Sequence, residues 1–70
     1  MAEISTESLA IQTRDYILDH LRKGRWAGGL PAERKFSASL GVSRPVLREA
    51  LQFLENQGYL QREKRLRVPS

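Results

Sequence analysis

The chain has 70 residues, no cysteine and a formal net charge of +4. A chain of this length forms one small domain with little room for an enclosed catalytic pocket, so we expect it not to be an enzyme. Without cysteine, and with His20 as its one histidine, it lacks the usual ligands of zinc and thiol sites. We therefore expect no metal and no cofactor.

The charge is unevenly distributed along the chain. Residues 1–20 hold one basic and four acidic residues, a net charge of −3, whereas residues 21–70 hold eleven basic and four acidic residues, a net charge of +7. A strongly basic body favours a polyanionic partner, because phosphates that it neutralises release their counterions. Charge alone leaves a nucleic-acid partner and a simply solvated surface about equally favoured.

The first ten residues do not have the composition of a signal peptide. They contain Glu3 and Glu7 and no basic residue, and no stretch of the chain approaches 18 apolar residues. These features predict a cytoplasmic protein, associated with the nucleoid if it binds DNA, and no membrane partner. Residues 1–5 and 68–70 are expected to be loose ends of one compact unit at residues 6–68.

The first predicted helix runs from Thr6 or Ser8 to about Lys23. Its apolar residues recur every three to four positions, as one wide helical face requires. These residues are Leu9, Ile11, Tyr16, Ile17, Leu18 and Leu21. Gly24 then supplies a stop signal, and two glycines and a proline mark a turn into the next element.

Two short helices joined by a very tight turn are predicted next. Pro31 suits the first turn of the second helix because it lacks an N–H, and Glu33 suits the positive end of that helix. Gly41 can take the left-handed conformation that ends the helix, and Ser43 is a good N-cap for the third helix. The third helix is expected to stop at Gly58 and to bury Leu47, Ala50, Leu51 and Leu54.

After Gly58 the pattern predicts a short two-stranded hairpin. Residues 59–62 and 65–68 flank Glu63-Lys64, and the second run alternates basic and apolar residues. We expect its apolar residues to pack, namely Tyr59, Leu60, Leu66 and Val68. The whole layout is mainly α with a small β-hairpin, which is typical of a three-helix winged helix-turn-helix domain.

The outward face of the third helix is predicted to read DNA. In helix-turn-helix proteins the second helix of the pair lies in the major groove, and here it spans residues 43–57. Arg44 and Arg48 lie one turn apart on the face opposite the apolar residues, and an arginine can give two hydrogen bonds to guanine O6 and N7. Ser43 and the preceding helix are expected to meet phosphates. The candidate DNA contacts are Arg34, Lys35, Ser43, Arg44, Pro45, Val46, Arg48, Gln52, Lys64 and Arg65.

Other interpretations of these residues remain open. The two helix arginines could simply be solvated, with Arg48 paired to Gln52 or Glu55. A winged-helix protein-interaction module, whose third helix meets an acidic protein surface, would ignore DNA sequence. A membrane-surface helix is disfavoured because the first helix is acidic and has few cations.

Two other residues are expected to have structural roles. Trp26 is expected to cover the core edge rather than stack on a base. His20 is expected to be a neutral, partly buried or exposed residue rather than a ligand.

Three runs of residues carry a resemblance to a known family: L-P-A-E-R at 30–34, L-G-V-S-R at 40–44 and L-R-E-A-L at 47–51. At these spacings the chain from Leu9 to Val68 resembles the DNA-binding domain of the GntR family of bacterial transcription regulators. The resemblance implies a winged domain that binds double-stranded operator DNA as a homodimer. It also implies that Arg34, Ser43, Arg44, Arg48 and the wing tip approach the DNA.

The resemblance further implies a C-terminal domain that dimerises and binds a small-molecule effector, which 70 residues cannot contain. We therefore expect this domain in isolation to be monomeric.

The wing of this chain departs from the family, because the usual glycine-arginine-glycine run is missing. Either Arg65 and Arg67 replace the glycines or the hairpin is two residues shorter. Both versions keep a basic tip at Lys64 and Arg65, which predicts phosphate contact rather than minor-groove readout. The strand that usually precedes L-P is also abbreviated.

Overall fold

A computed structural model of the chain describes residues 6–64 and 66–70, without the side chains of residues 6 and 7. The described elements are the helices α1 (Thr6–Arg22), α2 (Glu33–Leu40) and α3 (Arg44–Asn56) and the strands β1 (Leu60–Glu63) and β2 (Leu66–Pro69). This order confirms the predicted three-helix winged fold. The loose end expected at residues 1–5 lies outside the described residues.

The core lies between the three helices and the first strand. Its buried members are Ile17, Leu30, Phe36, Leu47, Leu51, Leu54 and Leu60. The four residues that were predicted to be buried on α3 are all at most 1% exposed. The amphipathic pattern of α3 therefore determines which of its faces turns inward and which turns to solvent.

Trp26 covers the edge of this core, as predicted. Its ring meets that of Phe36 edge-on, with the ring centroids 5.1 Å apart. His20 is half-buried between Trp26 and Tyr16, with ring centroids 5.8 and 4.3 Å away. Arg25 Nη1 lies 3.4 Å from His20 Nδ1. Aromatic packing with one polar neighbour accounts for this histidine, in line with its predicted structural role.

The turn between α2 and α3 is built as the sequence predicts. Gly41 has a φ of 71°, in the left-handed region, and ends α2. Ser43 caps α3, and its Oγ accepts a hydrogen bond of 3.4 Å from the Val46 N–H. The prediction that Pro31 lies in the first turn of α2 is wrong. The helix begins at Glu33, after an extended Ala32 with a ψ of 147°.

Pro31 lies outside the helix because the preceding residue is tied to the hairpin. The N–H of Leu30 donates to the Arg67 carbonyl oxygen at 2.9 Å. This hydrogen bond lies in the segment before L-P, where we expected the first short strand of the family to be abbreviated. It holds residues 29–30 alongside β2, so the chain turns into α2 only after Ala32.

Replacing Gly41 with valine should destabilise the fold through the backbone alone. A Cβ at this position would meet nothing within 4 Å, so the expected loss comes from the φ of 71°. A β-branched residue in this region costs about 1–3 kcal/mol. Thermal unfolding followed by circular dichroism should show a clearly lowered Tm. Gly41→Asn is the matched control and should lose much less, since asparagine tolerates this conformation. Equal Tm values for Gly41→Val and the unmodified chain would contradict the assigned turn.

The hairpin closes tightly after β1, and the choice between the two predicted forms of the wing stays open. Glu63 pairs with Leu66 across the strands, so β1 and β2 are joined by a short connection that begins at Lys64. Lys64 has a φ of 57°, as the first position of a tight hairpin turn requires. Residues 68–70 are not a loose end, which corrects the prediction. Val68 pairs with Gln61, and the Ser70 N–H donates to the Tyr59 carbonyl oxygen at 3.1 Å.

Side chains on the hairpin are placed partly against expectation. Leu60 is buried and Val68 is half-buried, but Tyr59 and Leu66 are 40% and 48% exposed and do not pack as predicted. Arg67 takes the inward position instead, with its side chain 12% exposed. A charged side chain can occupy that position because carboxylates from two helices meet it there.

Candidate DNA-binding surface

A groove lined by arginines lies between the start of α2, the helix α3 and the hairpin. Arg34 contributes from α2, Arg44 from α3 and Arg62 from β1, while Glu33 and Arg67 also line it. We call this the arginine groove. Each of the three elements brings one exposed arginine to the same concave surface, which suits an extended polyanion.

Arg67 joins three elements within this groove. Its Nη1 donates to Glu33 Oε2 on α2 at 2.9 Å, and its Nε donates a short hydrogen bond to Glu55 Oε2 on α3. Arg67 itself lies on β2, so one guanidinium connects the wing to both helices of the helix-turn-helix pair. Charge-assisted hydrogen bonds of this kind are the strong ones in proteins.

The glutamate on α2 is held in its charged form. The hydrogen bond from Arg67 lowers the pKa of Glu33, burial opposes this, and the charges of Arg67, Arg48 and Arg44 lower the pKa further. The net effect is a pKa below the ordinary value for glutamate, so the Glu33 carboxylate is charged near neutral pH. A fixed negative charge therefore lies inside a positive groove.

The second oxygen of each glutamate faces an exposed arginine. Glu33 Oε1 is 3.9 Å from Arg44 Nη2 and 3.7 Å from Arg48 Nε, and Glu55 Oε1 is 3.8 Å from Arg62 Nε. The three arginine side chains are between 55% and 67% exposed. These separations are longer than hydrogen bonds, so the guanidinium donors remain available to a ligand.

Most of the predicted contact residues are exposed. The exposed ones are Arg34, Lys35, Ser43, Arg44, Pro45, Arg48, Gln52 and Lys64. The spacing of Arg44, Arg48 and Gln52 puts them on one face of α3. Arg48 pairs with Glu33, whereas the alternative interpretation paired it with Gln52 or Glu55. Gln52 instead donates to Asn56 Oδ1 at 3.1 Å.

Two predicted contacts do not belong to this exposed set. Val46 is 3% exposed, because the apolar face of α3 is wide enough to include its side chain in the interior, and its contact with DNA stays a prediction. Arg65 lies outside the described residues.

Sequence reasoning missed three residues of the groove, namely Glu33 as a partner of arginines, Arg62 and Arg67. It also missed Glu55, which bonds Arg67. Glu33 was interpreted only as a favourable charge at a helix end, although it belongs to the L-P-A-E-R run. Arg62 carried one available signal, since it is a basic residue in a predicted strand beside the basic wing tip. The other pairings join residues 12 and 34 positions apart and have no local signature.

A comparison with known proteins settles the family. Residues 9–68 match the profile described as "Bacterial regulatory proteins, gntR family". The chain belongs to the GntR family. This membership confirms the sequence resemblance and places the chain in a family of transcription regulators, which implies DNA binding. Regulators of the GntR family act by binding rather than by catalysis.

Curated relatives of this GntR-family chain share its helix-turn-helix region. A "Fatty acid metabolism regulator protein" of Enterobacter sp. (strain 638) is 42% identical over 59 residues, covering 81% of this chain and 25% of the relative. Proteins with the same name from Vibrio cholerae and Erwinia tasmaniensis are 42% and 41% identical over the same length, covering 21% and 25% of those relatives. The chain thus spans about a quarter or a fifth of the length of these relatives.

Two further observations concern the described part of this GntR-family chain. Within it, no helix is both long enough and apolar enough to cross a membrane. The side chains described there also form no group of three or more histidines, aspartates or glutamates that could hold a metal ion.

Proposed function

We propose that this chain binds double-stranded operator DNA in a sequence-specific manner, with α3 in the major groove. One observation carries the proposal: Arg44 and Arg48 lie exposed, one turn apart, in the first half of a helix whose other face is the core. Helix-turn-helix proteins present this part of the second helix to base edges. Arginine is also the residue most often found in specific contact with guanine.

The remaining basic residues are proposed to contact phosphates. Arg34 and Arg62 line the arginine groove beside α3, and Lys64 lies at the wing tip. Ser43 and Lys35 are exposed near the start of α3 and on α2. Contacts to phosphates fix the register and orientation of a protein on the duplex without reading its sequence. The wing, which has no glycine at its tip, suits phosphate contact better than deep entry into the minor groove.

The proposed place of this domain in a larger regulator follows from the relatives. They are several times longer than the match, in keeping with a DNA-binding unit at residues 6–68 attached to a domain that dimerises and binds a small effector. Their printed name concerns fatty acid metabolism. We extend DNA binding in the cytoplasm to this chain, and not the regulated pathway, because the 42% identity covers only the DNA-binding part.

Selection from a random pool of duplexes tests the proposal directly. The chain is incubated with the pool, bound duplexes are recovered and sequenced, and affinity is then measured for a selected duplex and for its scrambled version. We expect a short enriched motif that contains guanine and a clear preference for the selected duplex. Binding that ignores sequence would contradict the proposal and favour a winged-helix protein-interaction module.

Substitutions should separate base contacts from phosphate contacts. Arg44→Ala and Arg48→Ala are each expected to cost about 1–3 kcal/mol on the selected duplex and to relax preference at one base pair. Lys64→Ala should weaken binding to all duplexes alike and reduce the slope of log affinity against log salt by about one unit. Fluorescence anisotropy titrations over a salt series measure both effects. Equal losses of all three variants on selected and scrambled duplexes would contradict the assignment of base-reading arginines.

A further inference from the structure

We propose that Glu33 is a positioning residue that determines sequence specificity by holding Arg44 and Arg48 at the edge of the major groove. The inference rests on the proposed DNA binding, and it adds an acidic residue to a surface otherwise defined by its cations. Glu33 itself would touch no base.

The first step of the argument is that the position of the Glu33 carboxylate is fixed. Its Oε2 accepts the 2.9 Å hydrogen bond from Arg67 Nη1, and the Nε of the same guanidinium donates to Glu55. The Glu33 side chain is 22% exposed and that of Arg67 is 12% exposed, so packing restricts both. Because one carboxylate oxygen is bound in this way, the direction of the other, Oε1, is set by the fold.

The second step is that Oε1 lies between the two arginines that are proposed to read bases. It is 3.9 Å from Arg44 Nη2 and 3.7 Å from Arg48 Nε. Two like charges four residues apart on a helix repel each other, and a carboxylate between them offsets this. At these distances the carboxylate attracts both guanidinium groups without taking up their hydrogen-bond donors. The two arginine side chains are therefore already restricted before DNA binds, so less side-chain entropy is lost on binding.

The third step is that this carboxylate is unfavourable for DNA affinity as such. A negative charge in the arginine groove repels phosphates and reduces the net charge available for counterion release. Exposed ion pairs also contribute little to stability, and both arginines are more than half exposed. A role in aiming the arginines accounts for a glutamate at this place, whereas a role in general affinity does not.

Glu33→Gln separates these roles, because each predicts a different change. Affinities are measured for the selected duplex and for its scrambled version, at a temperature where circular dichroism shows every variant folded. We expect the ratio of the two affinities to fall roughly tenfold, the size of one lost bidentate arginine contact, while binding to the scrambled duplex is unchanged or tighter. Glu49→Gln, the same change at an exposed position of α3 outside the groove, should keep the ratio.

A second variant keeps the charge. Glu33→Asp retains the carboxylate but is shorter by one methylene, so it cannot reach Arg67 and both arginines together. We expect the ratio to fall here as well, which the loss of a charge could not explain. This variant also tests the inference if Glu33→Gln fails to fold.

The outcomes distinguish the inference from the function on which it rests. An equal gain of Glu33→Gln on both duplexes would mean that Glu33 acts only as a charge, and an equal loss on both would mean that it only supports the fold. Either result overturns the positioning role while the unmodified chain still prefers the selected duplex. An unmodified chain without such a preference would overturn the proposed function itself.

Discussion

Arg67→Met is expected to lower the free energy of unfolding by about 2–3 kcal/mol, at or just below the range for breaking a fully buried ion pair, because the three side chains are 12–22% exposed. Methionine has a similar length, so the space is largely kept. The substitution leaves the carboxylates of Glu33 and Glu55, only 22% and 18% exposed, without the guanidinium that bonds both. It also removes the side-chain hydrogen bonds that join β2 to α2 and α3. Urea titration and thermal unfolding, both followed by circular dichroism, measure the loss.

The hairpin supplies a matched control for this substitution. Arg62→Met makes the same change one strand away, next to the same Glu55, but the Arg62 side chain is 55% exposed and its closest separation is 3.8 Å. Its effect should stay within about 0.5 kcal/mol. Adding Glu33→Gln and Glu55→Gln to Arg67→Met should recover much of the lost stability, because no unpaired carboxylate is then left. If Arg67→Met unfolded like Arg62→Met, the cluster would make no net contribution to the fold.

The helix-turn-helix pair could be predicted because its signals are local. Gly41 and Ser43 act on the backbone within a few residues of themselves, and the N-cap and the left-handed turn each depend on one side chain or its absence. The buried face of α3 could be predicted for a similar reason, since helical periodicity fixes which residues share a side. The starting point of α2 could not, because a hydrogen bond from Leu30 to distant Arg67 sets it.

The hairpin shows where such reasoning stops. Alternation along a strand divides its residues between two faces but does not say which face turns inward, and exchanging the faces moves every side chain. The apolar residues favoured an inward Leu66, yet Leu66 is 48% exposed and Arg67 lies inward. What decides the matter is a pair of carboxylates on α2 and α3, at 34 and 12 residues from Arg67. The sequence patterns of α2 and α3 do not indicate that their glutamates pair with Arg67. The arginine groove could therefore be found only from the three-dimensional structure.

Two copies of the chain joined by a flexible linker are expected to bind a duplex with two half-sites on the order of 100-fold more tightly than one copy does. A single domain offers one recognition helix, and the second binding event becomes intramolecular once the linker spans the half-sites. We expect no stable dimer without the linker, because the exposed large apolar residues of the described chain are distributed over α1, α3 and the hairpin. These residues are Ile11, Tyr16, Phe53, Tyr59 and Leu66.

The control for the linked protein is a duplex of equal length with one half-site scrambled, on which the gain should largely disappear, since no second site is present to be reached. Anisotropy titrations at one fixed salt concentration give both affinities. Sedimentation of the unlinked chain at micromolar concentration gives its association state, and a tight dimer there would contradict the expectation. In that case the apolar residues of α1 and α3 would form an interface of their own, and the spacing of the half-sites would be set by this domain rather than by the linker.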